Sequence, residues 1–188
     1  DSQIQLQICF RGVSYNHPDH FITALISRLF DDGVTSRLQK TLREEKGLVY
    51  SVECRATSLP DIGTVDFDVS VRSEKVVEVV EILLSEIKTF ISNGVNKEEL
   101  DLVKQRYGYD LDYELDDPYK QIVRYGFCHL YSSEYTAEDE RKKIFQIMRN
   151  DILRVAREIF IPEKLNFILV GPYTSKLKST LEGLVRDF

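Results

Sequence analysis

The chain has no tryptophan, one methionine, three cysteines and three histidines in 188 residues, and each shortage excludes something. Cys9, Cys54 and Cys128 are odd in number, far apart and set in apolar patterns rather than C-x-x-C pairs. They are expected to be buried free thiols, which argues against a disulfide scaffold and for a reducing compartment, the cytoplasm ahead of the periplasm. No apolar run reaches the roughly 20 residues that span a bilayer. With 25 Lys and Arg against 31 Asp and Glu, the net charge of −6 supplies no basic field for phosphate backbones, so nucleic acid is not an expected partner.

The chain opens at Asp1 directly in a strand-like pattern, and its one methionine is Met148. A single domain, residues 1–188, cut from a longer protein is the expectation. A composition of 43% hydrophobic and 30% charged residues suits a globular chain. At this length such a chain buries about 70% of the surface its unfolded form exposes.

Period decides the elements. "QIQLQICF" alternates, placing Ile4, Leu6, Ile8 and Phe10 on one face of a strand. "NHPDHFITALISRLF" has a helical stripe over 18–30, and Leu38 and Leu42 mark a second, short helix. Gly47 suits the left-handed position that ends it, with Leu48 folding back on the last turn. "VYSVECRA" and "GTVDFDVSVR" form an antiparallel hairpin across "LPDIG". The strongest helix follows, with apolar residues at 76, 80, 83, 87 and 90, and ends at Asn93-Gly94. Asn96 with Glu99 starts another, which Pro118 interrupts. Thr136 with Asp139 caps a helix expected to run unbroken through Ile144, Met148 and Ile152 to Phe160; a strand "KLNFILVGP" and a helix "SKLKSTLEGLV" close the chain. Paired strands followed by grouped helices predict an α+β fold, one antiparallel sheet with helices mainly on one face.

Chemistry of its own is scarce. A hydrolytic zinc site needs three protein ligands, commonly two histidines a helical turn apart and a carboxylate. His17 and His20 form H-x-x-H at a helix entry, without the H-x-x-E-H or H-E-x-x-H order, and are expected on the surface; His129, alone in an apolar helix, is expected in the core. "DLDYELDDPY" lacks the glycine and twelfth-position glutamate of a calcium loop, so its carboxylates diverge along a solvated helix. There is no G-x-S-x-G, P-loop or dinucleotide turn, and Ser36 and the cysteines have no histidine at catalytic spacing. Arg43 and Tyr50 remain, on either side of Gly47. In the ordinary reading the arginine pairs with a nearby glutamate and the tyrosine packs. In the functional one both reach one cleft and donate to a single carbonyl or carboxylate.

"GVTSRLQKTLREEKGLVYSV", "NHPDHFITALISRLF", "NGVNKEELDLVK" and "FIPEKLNFILVGP" together resemble, in order and over nearly the whole chain, the second half of the pitrilysin-like (insulinase-like) zinc metallopeptidases, mitochondrial processing peptidase among them. Where "DDG" stands before Val34, that family often has paired glycines. The resemblance implies a non-zinc domain, inactive alone, that completes a peptide-cleaving chamber. Zinc is then expected in a partner half, an H-x-x-E-H domain or subunit, and not in this chain. Arg43 and Tyr50 would be the catalytic contributions made here, holding the peptide substrate's backbone. The alternative implied by the same fold is a non-catalytic scaffold, as in respiratory-complex core subunits.

Overall fold

The computed structural model describes residues 3–133 and 135–188. Its sheet has four antiparallel strands: β1 (Gln3–Gly12), β2 (Val49–Ser58), β3 (Gly63–Arg72) and β4 (Leu165–Val170), in the order β2-β3-β1-β4. Alternation along β1 and β3 decides which face is covered. Ile4, Leu6, Ile8 and Phe10 are buried with Val65, Phe67, Val69 and Val71, while Gln5, Gln7, Asp66 and Asp68 line the opposite face. On that open face Gln5 Nε2 donates to Ser70 Oγ at 2.8 Å and Gln7 Nε2 to Asp68 Oδ1 at 2.8 Å. Ser70 points outward as its place in the alternation requires, yet lies buried beneath this glutamine ladder.

The helices are α1 (His20–Phe30), α2 (Val76–Asn93), α3 (Lys97–Leu115), α4 (Pro118–Leu130), α5 (Ala137–Gln146), α6 (Arg149–Ile159) and α7 (Ser175–Arg186). Five phenylalanines knit sheet and helices together. Phe10 of β1 meets Phe160, just after α6, with ring centroids 5.0 Å apart, and Phe30 of α1 meets Phe67 of β3 at 5.1 Å and Phe90 of α2 at 4.8 Å. Offset and edge-on packing of this kind adds to the area each ring buries. The α+β architecture predicted from periodicity is therefore the observed one.

Helix starts follow their caps. Asn96 Oδ1 accepts the Glu99 N–H at 2.8 Å to open α3, Asp117 does the same for α4, and Thr136 with Asp139 forms a reciprocal box at α5. At α3 the reciprocity fails because the Glu99 carboxylate is taken by Arg37. The predicted unbroken helix from Thr136 to Phe160 is corrected: it breaks at Ile147–Met148, where both residues turn extended. Two side chains stabilise the break. Asp151 accepts the Met148 N–H at 2.8 Å, and the buried Lys104 ammonium donates to the carbonyls of Phe145 and Ile147. Burial draws the Lys104 pKa below its ordinary value.

Candidate functional site

The segment carrying Arg43 is a π-helical turn, Gln39–Glu45, pinned by Leu38 and Leu42, both fully buried. Its ending is that of a glycine-terminated helix with each hydrogen-bonded ring one residue wider than in an α-helix. Gly47 N–H donates to the Arg43 carbonyl at 3.1 Å, and Leu48 N–H to the Leu42 carbonyl at 2.9 Å. Gly47 sits at φ +56°, left-handed backbone that a side chain disfavours. Leu48 is buried, as the predicted fold-back onto the turn requires.

Tyr50 follows at the start of β2, and the ladder skips it. Val49 pairs with Val71 and Ser51 with Ser70, so Tyr50 is the extra residue of a β-bulge and has no partner on β3. A bulge re-aims its side chain and recurs beside reactive sites. Tyr50 is 59% exposed, and Arg43 is exposed too. Among the described residues neither side chain has a hydrogen bond or ion pair. Of the two glutamates next to it in sequence, Glu45 lies 3.8 Å from Lys40 and Glu44 is exposed, and among the described residues neither pairs with Arg43. Two long polar side chains thus leave the surface unsatisfied on either side of one rigid turn.

That rigidity has identifiable sources. Arg37, just before the turn, holds Glu99 bidentately at 2.6 and 2.8 Å, donates to the Gly94 carbonyl at 3.1 Å and lies over the Phe90 ring. Gln39 donates to Asp31 Oδ1 and to the Val52 carbonyl, and Asp31 Oδ2 accepts the Cys54 N–H at 3.1 Å. These bonds tie the turn to β2 and close part of that strand's outer edge. Arg37, Asp31 and Gln39 were not legible as supports, because their partners lie 62, 23 and 13 residues away. Clefts of about 740 Å³ between the starts of α2 and α7, about 540 Å³ between the starts of α3 and α6, and about 510 Å³ along β4 and α7 include neither Arg43 nor Tyr50. Both side chains lie exposed on the surface of this chain.

No group of three His, Cys, Asp or Glu side chains able to hold a metal ion occurs among the described residues. His17 Nδ1 accepts the Asp19 N–H, whereas His20 is half-buried with Nδ1 3.1 Å from Ser58 Oγ, its pKa lowered by desolvation. Zinc does not fit this donor set. His129, expected in the core, is exposed: α4 buries only Cys128 among its residues, so most of that helix faces solvent. The acidic run disperses as anticipated, Asp110 going to Arg28, Asp112 to Arg141 and Glu114 to Arg124. Ser36 is occupied with the Gly33 carbonyl. Of the thiols, Cys54 and Cys128 are buried, but Cys9 is only partly so because it falls on the open face of the sheet; its pKa is nevertheless pushed up to about 12, chiefly by desolvation.

With this geometry in hand, residues 1–107 match the family model described as the peptidase M16 inactive domain. The chain belongs to that family. Among curated relatives, an uncharacterized zinc protease of Mycobacterium tuberculosis is 22% identical over 176 residues, covering 93% of this chain and 40% of that one. The chain spans about two fifths of the length of the curated relatives it matches. Among solved structures, the peptidase M16 inactive domain from Pseudomonas fluorescens superposes with a TM-score of 0.84 at 19% identity, over 93% of this chain and 42% of that chain. A chain of complex III from Candida albicans superposes at 0.83 with 14% identity, over all of this chain and 46% of that one. At these identities the superpositions establish the M16 fold.

Proposed function

We propose that this chain is the non-zinc half of a zinc metalloendopeptidase and closes a peptide-cleavage chamber opposite a zinc-bearing H-x-x-E-H domain or subunit. The observation that carries the proposal is the exposed, unpartnered state of Arg43 and Tyr50 on either side of the braced Gly47 turn. Donors left free on a rigid support suit a ligand arriving from outside the chain. Membership of an M16 inactive-domain family whose curated relatives are named zinc proteases supports the same reading.

In that assembly the zinc-bearing half supplies the metal, the activated water and the base. This chain supplies donors. The Arg43 guanidinium holds a substrate carbonyl or carboxylate through parallel N–H bonds, and the Tyr50 hydroxyl donates to the scissile carbonyl oxygen as negative charge develops on it. In the assembled peptidase Arg43→Ala and Tyr50→Phe should each lower turnover by about 10²-fold or more with zinc content unchanged. Normal cleavage by both variants would make these side chains surface residues and defeat the assignment.

A second reading, a non-catalytic scaffold, draws on the superposition with the Candida albicans complex III chain. That likeness concerns fold alone. A scaffold has no use for two long donors held without partners, so the peptidase reading is favoured.

A further inference from the structure

The two outer edges of the sheet are treated in opposite ways. The β2 edge is shielded: Asp31 and Gln39 occupy the Cys54 N–H and the Val52 carbonyl, and the Tyr50 bulge interrupts its register. Such devices keep an edge strand from recruiting another strand. Among the described residues β4 has none of these devices. Its sequence, Leu165–Val170 or "LNFILV", has no charge, proline or bulge, and its register against β1 runs unshifted from Phe10↔Leu165 to Gln5↔Val170.

Antiparallel alternation identifies the free groups. Val52 and Cys54 turn their backbone groups away from β3, so their partners Val69 and Phe67 face β1 and bond Leu6 and Ile8. Gln5, Gln7 and Cys9 must then bond β4 through Val170, Ile168 and Asn166. The N–H and C=O groups of Phe167 and Leu169 therefore point outward along the open edge, as does the Leu165 carbonyl, whereas the Leu165 N–H donates to the Pro162 carbonyl. Beside them runs a groove of about 510 Å³, with Phe167, Leu169, Leu181 and Val185 on its floor and α7 as its far wall. On the sheet's other face Ile168 is 50% and Val170 66% exposed. The strand is thus apolar on its groove side and, apart from Asn166, on its other face, and is unpaired along one side among the described residues, the arrangement in which an added strand gains main-chain bonds and a side-chain groove together.

We infer that β4 receives an extended strand of the zinc-bearing half as a fifth strand of this sheet, its alternate apolar side chains seated between β4 and α7. The occupant follows from scale: about three fifths of each curated relative lies outside the region this chain matches, and a six-residue edge takes only a segment of about 20 Å. On the groove rim Lys178 lies 3.8 Å from Glu182, whereas Arg186 has no acidic partner among the described residues and is free to take a carboxylate from an incoming strand. This inference rests on the two-half reading above, and the test separates the two.

Amide hydrogen exchange would be measured residue by residue on the zinc-loaded assembly of both halves. The Phe167 and Leu169 amides should exchange within about 10-fold of the Ile168 amide, which β1 already protects. Exchange at those two positions about 100-fold faster than at Ile168, in an assembly that binds zinc, would overturn the added strand and leave the two-half reading standing. Equal protection in this chain by itself, accompanied by dimerisation, would assign the edge to a second copy and also overturn it. Failure of the chain to associate with any zinc-bearing half would remove both.

Discussion

Arg37 grips Glu99 through two charge-assisted hydrogen bonds of 2.6 and 2.8 Å, joining the approach to the Arg43 turn to the first turn of α3. The same guanidinium donates to the Gly94 carbonyl at the end of α2 and lies over the Phe90 ring. The approach to the turn is thereby fixed to the α2–α3 junction, about 60 residues further along the chain, around one side chain. Removing it should cost about 2 kcal/mol and lower the melting temperature by about 4–8 °C. Arg37→Lys should recover little, because an ammonium cannot reproduce the bidentate fork. Thermal unfolding of both variants checks this; a lysine variant as stable as the parent would refute it.

Gly47 and Gly63 are both required, for different reasons. Gly47 has nothing within 4 Å of where a Cβ would stand, so Gly47→Ala suffers only the left-handed backbone, about 1–2 kcal/mol. At Gly63 a Cβ would lie 2.0 Å from the Val13 carbonyl oxygen, and backbone must move. Gly63→Ala should therefore be clearly the more damaging in urea titrations, with loss of the soluble protein as its extreme form.

Arg43→Ala and Tyr50→Phe should leave the unfolding of this chain unchanged within about 2 °C, since neither side chain has a partner to lose. A larger fall in either variant would mean that the side chain packs in solution, contrary to its exposure here.

Acid should erode stability in two windows. His20 has a folded pKa below its ordinary value of 6.5, mainly through desolvation, so folding favours the neutral ring. Its contribution is complete above about 6.5 and is lost as pH falls from there through the folded pKa. Asp19 is also depressed, from 3.8, mainly by its hydrogen bonds from Arg154 at 2.6 and 3.0 Å, which join the start of α1 to α6. That contribution is present above the unfolded value near 3.8 and disappears as pH drops below it. Denaturant midpoints from pH 8 to 3 should fall in both windows. His20→Phe should flatten the upper one and Asp19→Asn the lower one; unchanged profiles in these variants would place the titrating groups elsewhere.

Much of the fold was legible because local rules sufficed. Alternation at Ile4, Leu6, Ile8 and Phe10 and the stripe at Val76, Val80, Leu83, Ile87 and Phe90 decided element type and buried face, and Asn96 and Thr136 marked helix starts through bonds three residues long. The break at Ile147–Met148 escaped, because its stabilising partner, Lys104, lies more than 40 residues away in the chain. At the candidate site the residues could be named, but not how they are held. The bulge at Tyr50 arises from how β2 pairs with β3, and the brace from Arg37 and Asp31 reaching other elements.

The amino-acid order by itself determined the periods, the caps, the Gly47 turn and the want of a zinc ligand set, since each depends on residue type within a few positions. Only tertiary structure decided that Arg43 and Tyr50 stand free while their neighbours are bonded, and that β2 is shielded while β4 lies open. Those outcomes depend on which donors and acceptors remain unsatisfied after distant segments have packed, a quantity no stretch of chain contains before it folds.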